Sequence, residues 1–356
     1  MNRKGKRVVV AMSGGVDSSV TAAILKQEGY EVIGVTMRLW TEEGSSSTSL
    51  HRRCCSPEEV EDARRVCQML DIPFYVLNFE PQFKTHVVDY FCREYGQGRT
   101  PNPCLACNKW IKFDSLLNRA LALRAEYLAT GHYARIERRN GRHQLLKAVD
   151  SAKDQSYVLY TLGQKELEHL MFPMGLYSKS QARRLAQEMG LPVWNKAESQ
   201  ETCFIFNGDY RQFLAERNTP QPGDIVNAEG KVLGRHSGIA FYTVGQRRGL
   251  GLVSQKSLYV LSIDPRSNRI VVGTNNELLC DELLASEVSF VSGEPLREPM
   301  DVTAKIRYKS PEAKAVLYPQ GLQARLVFEE PQRAVTPGQA VVFYRDDVLL
   351  GGGIIN

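Results

Sequence analysis

VVVAMSGGVDSSVTAAILKQEGY, residues 8–30, decides how the first half of this chain is built. Residues 8–12 are a β-branched and apolar run that reads as a strand. Residues 18–28 have helical spacing, and Gly29 stops them. Between the two lie glycines, an aspartate and serines. A strand that turns through glycines into a helix aims free backbone N–H groups at one spot, which makes an anion site. Gly14 and Gly15 let the chain bend and let an anion approach the backbone, while Ser13, Ser18 and Ser19 add hydroxyl donors. Asp17 suits phosphates only if it caps the helix or binds the Mg2+ that accompanies a nucleotide. The motif lacks the Lys-Ser/Thr ending of a Walker loop and is not G-x-G-x-x-G. That argues against γ-phosphate transfer and dinucleotide binding. A plain tight turn with serine caps is the blander explanation, but S-G-G-x-D-S-S after an apolar strand is rare by chance.

Working outward, strands are expected at 31–40, 74–79 and 127–130, with a further one in TGHYAR. Helices are expected at 57–70 and 109–123. Ser56 is a fit N-cap for the first of these helices, with Pro57 at its first position and Glu59 completing a capping box. The serine-rich stretch 41–53 reads as a surface loop. Alternating strands and helices mean a parallel sheet covered by helices. Past residue 215 the chain becomes rich in turn formers, and short β-type runs such as SLYVLSI, RIVVG, AKAVLY and QAVVFY take over. GIAFYTV reads the same way. A break at 291–299 divides this half into two small β units.

The totals are those of a globular protein: 356 residues, 43% hydrophobic and 24% charged. No apolar run approaches the ~20 residues that span a bilayer, and residues 1–10 lack the apolar core of a secretory signal. The cytoplasm and no membrane are the expectation. A net charge of +5 permits a polyanionic partner without demanding one.

Eight cysteines in a chain of this length do not make a disulfide scaffold. In GRTPNPCLACNKWIKF, 98–113, two prolines force an extended approach to a helix. Cys107 is then expected near that helix's N-terminus, where the dipole, with Lys109 and Lys112, favours a thiolate. Cys203 lies in SQETCFIF. Cys67 falls on an apolar stripe and reads as core, as do Cys92 and Cys280. Cys54 and Cys55 flank the serine-rich loop. Cys104 and Cys107 form one C-x-x-C, which alone fits zinc, a redox pair or an Fe–S ligand set. The absence of a second such pair disfavours structural zinc.

SGGVDSS, Ser13 to Ser19, resembles the loop of the PP-loop ATP pyrophosphatases. That resemblance implies a Rossmann-like fold that binds ATP, transfers AMP to a substrate oxygen and releases pyrophosphate. AMSGGVDSS, the two cysteine segments, TGHYAR, KDQSYVLY, CFI and KIRY together resemble the bacterial tRNA 2-thiouridylase family over nearly the whole chain. The resemblance implies adenylation of the C2 oxygen of the anticodon wobble uridine and its replacement by sulfur. It implies ATP and Mg2+ as cofactors. Its implied partners are the tRNA anticodon loop and a persulfide donor such as a cysteine desulfurase or sulfur-carrier protein.

Carried onto this chain, the family pattern makes Cys107 the nucleophile and Cys203 the persulfide carrier, the two closing a disulfide as sulfur is released. It assigns Ala11, Met12, Ser13, Gly14, Gly15, Val16, Asp17, Ser18, Met37 and Gly131 to ATP. It assigns Asn102, Pro103 and Cys104 to the flipped base, and His132, Lys153, Asp154, Gln155, Arg307, Tyr308 and Gln339 to the RNA. Residue 104 can be aspartate in the family, so its cysteine here leaves open a [4Fe–4S] cluster on Cys104, Cys107 and Cys203. The fold implied is a Rossmann-like α/β domain at 1–215, a small β-rich domain at 216–290 and a β-barrel at 291–356. Two rival readings stand beside this one. An ATP-dependent ligase on the same fold explains the loop but not the cysteines. A non-enzymatic RNA-binding protein uses the basic β segments, AKIRYKSPEAK and the Arg247-Arg248 turn among them.

Overall fold

A computed structural model describes residues 5–40, 57–197, 202–205, 209–217 and 219–356. The Ser56 cap, the whole serine-rich stretch 41–53, Cys54 and Cys55 lie outside the described residues.

The first half forms a parallel sheet from β1 (Arg7–Ala11), β2 (Glu31–Arg38), β3 (Phe74–Asn78) and β4 (Tyr127–Ala129). A hairpin follows, β5 (Ala134–Arg139) and β6 (Arg142–Lys147), before β7 (Leu170–Met171) returns to the sheet. The order is β3-β2-β1-β4-β7, with every pairing parallel. Side chains of a strand alternate between faces, so this sheet has two apolar layers. Val8, Val10 and Met12 lie in one with Val20, Ala23 and Leu25 of helix Val16–Gln27. Val9, Val35 and Met37 lie in the other with Phe83, Phe91 and Ile111. Chain order reverses between β1 and β4, the place where open α/β sheets bind ligands at the strands' carboxyl ends.

The helix expected at 109–123 begins earlier. Its turns are Pro103–Ala106, the wider-wound Cys107–Leu116 and Leu117–Ala122. Asn102 explains the early start: its side chain accepts the Cys104 amide at 3.0 Å, and Pro103 fills the first position, where no N–H is needed. TGHYAR leaves the parallel sheet altogether. Its strand β5 pairs with β6, and β6 pairs with strand Val348–Ile355 of the last domain.

The central unit is a four-stranded sheet of β8 (Gly223–Val226), β9 (Val232–His236), β10 (Tyr259–Asp264) and β11 (Arg269–Gly273). GIAFYTV is not a strand here. Ile239–Phe241 is one helical turn, and Ile239 and Tyr242 fill the core under the sheet. The last unit is a closed six-stranded barrel. It runs through β12 (Leu279–Phe290), β15 (Gln323–Arg333), β14 (Ala313–Gln320), β13 (Met300–Lys305), β16 (Ala340–Arg345) and β17 (Val348–Ile355), and β17 pairs back onto β12. Because β12 belongs to it, the turn-rich stretch 291–299 is a loop within the barrel.

Candidate active site at the carboxyl edge of the parallel sheet

β1 delivers the glycine loop to this edge. Gly14 has φ +68°, and a Cβ there would lie 2.2 Å from the Glu59 carbonyl oxygen, so only glycine fits. Ser18 Oγ braces the turn by accepting the Ser13 amide at 3.2 Å and donating to the Gly15 carbonyl at 3.2 Å. Ser19 Oγ donates to the same carbonyl at 2.8 Å. The first-turn amides of helix Val16–Gln27 have no intrahelical acceptor, which is what an anion needs. From β4, Gly131 packs onto the start of that helix. A Cβ on it would lie 2.9 Å from both the Asp17 carbonyl carbon and the Ser18 nitrogen. Ala11 ends β1, Met12 and Val16 are buried beside the loop, and Met37 is buried near the end of β2. The nucleotide residues implied by the sequence thus share the crevice between β1 and β4 or border it.

Asp17 does not cap the helix. Lys179 Nζ donates to both its carboxylate oxygens at 2.8 Å, and the Tyr133 hydroxyl donates to Oδ1 at 2.7 Å. Lys179 occupies the first position of helix Lys179–Glu188, where the dipole disfavours a cation. That misplacement was the only sequence signal for its role. Lys196 was also not singled out. Its ammonium donates to the Gly14 carbonyl at 3.0 Å and to Asp62 Oδ2 at 2.6 Å.

His132 is buried. Burial first, and the Lys112 charge second, hold it well below its ordinary value of 6.5. The ring is therefore neutral, and its contacts fix the tautomer. Nδ1–H donates to Thr130 Oγ1 at 2.6 Å, which leaves Nε2 to accept from Lys112 Nζ at 3.5 Å.

The cysteines flank one apolar cluster. Cys107 is buried in it with Leu105 and Ala106, and Cys203 packs against it. Cys107 sits beyond the helix's first turn rather than at its tip, because the helix starts at Pro103. Asn108 Nδ2 donates to the Val158 carbonyl at 2.9 Å and fixes this turn against the KDQSYVLY segment. Cys203 is anchored by its neighbour. Phe204 is fully buried, with ring centroids of Phe83, Phe91 and Phe213 at 5.8, 5.3 and 5.2 Å in edge-to-face contact. Cys104 is exposed.

Two of the residues assigned to RNA, Tyr308 and Gln339, join the last unit to the first half of the chain. Tyr308 donates to the Asp154 carbonyl at 3.3 Å. Burial, then Asp154, then Cys104 raise its phenol, so three separate segments meet there. The Asp154 carboxylate accepts the Ala148 amide and the Ser156 hydroxyl, while Gln155 exchanges hydrogen bonds with the Tyr133 backbone. Lys153 is half-buried in the same turn. Gln339 Nε2 donates to the Thr100 carbonyl at 2.7 Å, and the Thr100 amide donates to Pro337. The barrel therefore holds the loop that leads to Asn102, Pro103 and Cys104. Arg307 is turned inward, donating to the Arg333 and Ala334 carbonyls.

A family model described as the tRNA methyl transferase HUP domain matches residues 6–207. Models of its PRC-barrel and aminomethyltransferase β-barrel domains match 211–274 and 280–355. The chain is 50% identical over 353 residues to the tRNA-specific 2-thiouridylase MnmA of Clostridium perfringens, covering 98% of each. It is 51% identical over 354 residues to that of Pelotomaculum thermopropionicum, covering 98% of this chain and 97% of the relative. The chain belongs to the tRNA-specific 2-thiouridylase family. Among solved structures, the U34-tRNA thiolase NcsA of Methanococcus maripaludis with its [4Fe-4S] cluster is 17% identical. It covers 60% of this chain and 65% of that one at a TM-score of 0.35, too slight a likeness to carry an inference.

The resemblance implies Mg2+ and leaves open a [4Fe–4S] cluster. Among the described residues, no three His, Cys, Asp or Glu side chains converge as a metal ligand set, although Cys104, Cys107 and Cys203 are all described. Asp17 has both oxygens engaged by Lys179, which leaves it poorly placed to ligate Mg2+. No helix among the described residues is long and apolar enough to cross a membrane.

Proposed function

We propose that this chain catalyses ATP-dependent 2-thiolation of the wobble uridine in the tRNA anticodon. The observation that carries the reading is the pairing of an anion-ready loop with two cysteines in one domain. A glycine loop with free helix-start amides lies at the β1/β4 edge, and two cysteines border the apolar cluster on the sheet's other face.

The backbone amides from Gly14 to Ser18 hold the ATP phosphates, and Gly131 and Met37 border the adenosine. Asn102, Pro103 and Cys104 hold the extruded base, steadied by the Gln339–Thr100 contact. The uracil C2 oxygen attacks the α-phosphorus, and pyrophosphate leaves. The outer sulfur of a persulfide on Cys203 then attacks C2 and expels AMP, leaving the nucleoside bound to Cys203 through an S–S bond. The Cys107 thiolate attacks the Cys203 sulfur of that bond. 2-Thiouridine departs with the electron pair, and a Cys107–Cys203 disulfide remains for a dithiol to reduce. A persulfide-bearing desulfurase or carrier protein supplies the sulfur, and the cytoplasm supplies both tRNA and reductant. Gln155, Lys153, Asp154, His132, Arg307 and Tyr308 serve the RNA either by contact or by bracing it.

Unmodified tRNA is incubated with ATP, a persulfide donor and a dithiol, and its nucleosides are analysed by mass spectrometry. 2-Thiouridine is expected from the native chain and none from Cys107→Ser or Cys203→Ser. Normal yield from both variants defeats the proposal.

A further inference from the structure

The central unit carries a basic turn that the thiolation chemistry leaves unused. It lies between β9 and β10, where Gly245 and Gly249, at φ +86° and +75°, let the chain fold tightly and hold Arg247 and Arg248 exposed. Lys256 comes back beside Arg247, and both line one cavity of about 310 Å3 with Ser254, Gln255 and Ser257. A fourth cation arrives from the first half of the chain. A Cβ on Gly249 would lie 3.4 Å from a guanidinium nitrogen of Arg211, in helix Tyr210–Ala215. None of these four cationic groups forms an ion pair or a hydrogen bond among the described residues. Asp209, close by in sequence, accepts the Arg211 backbone amide at 2.9 Å and leaves the guanidinium alone. Uncompensated cations gathered on one surface raise a positive potential that attracts a polyanion.

A hydrogen-bonded path fixes what this surface adjoins. The Thr100 hydroxyl donates to Thr243 Oγ1 at 3.3 Å, and the Thr243 amide donates to Gln246 Oε1 at 3.2 Å. Gln246 Nε2 then donates to the Arg248 carbonyl at 3.0 Å. Thr100 is the residue that Gln339 holds from the barrel. The arginine turn is thus tied to the loop that leads to Asn102, Pro103 and Cys104.

We propose that Arg211, Arg247, Arg248 and Lys256 form a phosphate-binding surface that grips the tRNA backbone beside the anticodon loop. The inference rests on the 2-thiolation reading, which puts the anticodon loop at Asn102, Pro103 and Cys104. Arginines predominate in the cluster, and their planar forks match phosphate oxygens. Phosphates carry no sequence information, so the surface adds affinity and orientation rather than base choice.

The test uses the full chain with full-length unmodified tRNA as the probe. Fluorescence anisotropy gives the affinity over about 50 to 200 mM KCl, and each lost phosphate contact should lower the slope of log affinity against log salt by about 1. The combined variant Arg247→Gln, Arg248→Gln, Lys256→Gln should lower it by about 2 to 3 and weaken binding roughly 10- to 100-fold at about 100 mM salt. In turnover, KM for tRNA should rise by the same factor, with kcat at saturating tRNA and KM for ATP unchanged. If the combined variant does not fold, Arg248→Gln alone should lower the slope by about 1. An unchanged slope and affinity overturn the inference. The same result with a raised KM for a persulfide-bearing donor protein gives the surface to a protein instead. A fall in kcat with tRNA affinity intact overturns it too. A native chain that binds tRNA but makes no 2-thiouridine defeats the thiolation reading, and the salt slopes, read without turnover, keep that failure separate.

Discussion

Replacing Phe204 by alanine tests whether Cys203 is held by a local anchor. Phe204 is fully buried and meets three aromatic rings edge to face. Removing such a ring costs about 3–5 kcal/mol in lost burial and residual cavity. If the anchor is local, most of that cost appears as easier detachment of the 202–205 segment rather than as global unfolding. About 3 kcal/mol raises the open population roughly a hundredfold, so Cys203 alkylation should quicken by that order. Phe204→Leu, which keeps most of the volume, should quicken it less than about tenfold. The assay is alkylation under native conditions read by peptide mass spectrometry, with urea unfolding measured in parallel. An unchanged Cys203 rate together with a global loss of about 3 kcal/mol or more would refute the reasoning. The segment would then unfold only with the whole sheet.

Gly131→Ala should abolish ATP binding and thiolation with little change in secondary structure by circular dichroism, because its Cβ would strike the Asp17–Ser18 peptide. His132 is neutral in the folded chain below 6.5, where the unfolded chain takes up a proton. Its contribution to stability is therefore intact above 6.5 and falls as the pH drops, by up to about 1.4 kcal/mol per unit. Urea midpoints between pH 7.5 and 5 should show that slope in the native chain and lose it in His132→Gln. Alkylation at pH 8 should reach exposed Cys104 early and Cys67 last, since burial pushes the Cys67 thiol up to about 12. Early modification of Cys67 would mean that helix Pro57–Met69 is not packed as described.

Much of the fold was legible where local chemistry and tertiary packing agree. The glycine loop, β1 to β4 and the short strands of the second half carry their own turn residues and periodicity. The sequence misled where a long-range partner decides. TGHYAR has strand composition, yet nothing local says that β5 and β6 join β17 some 200 residues later. The apolar run at Ile239 looks extended but curls into one turn over the central core. In the site, glycine spacing and cysteine placement were visible because they are covalent sequence. Lys179 and Lys196 were not, since a lysine's partner lies wherever its long stem reaches. Lys179 acts on Asp17 from 162 positions away.

The shared edge of β6 and β17 has a temporal meaning. Leu145 and Leu146 leave the ribosome about 200 residues before Val348 and Leu349, their ladder partners. At roughly 5–20 residues per second, that is a wait of some 10–40 s. During that time the hairpin that follows β4 has an open edge. The loop that leads to Cys104 and Cys107 also lacks the Pro337 and Gln339 contacts that seat Thr100. A nascent chain can thus finish its parallel sheet early while its sulfur chemistry stays unassembled until the barrel closes.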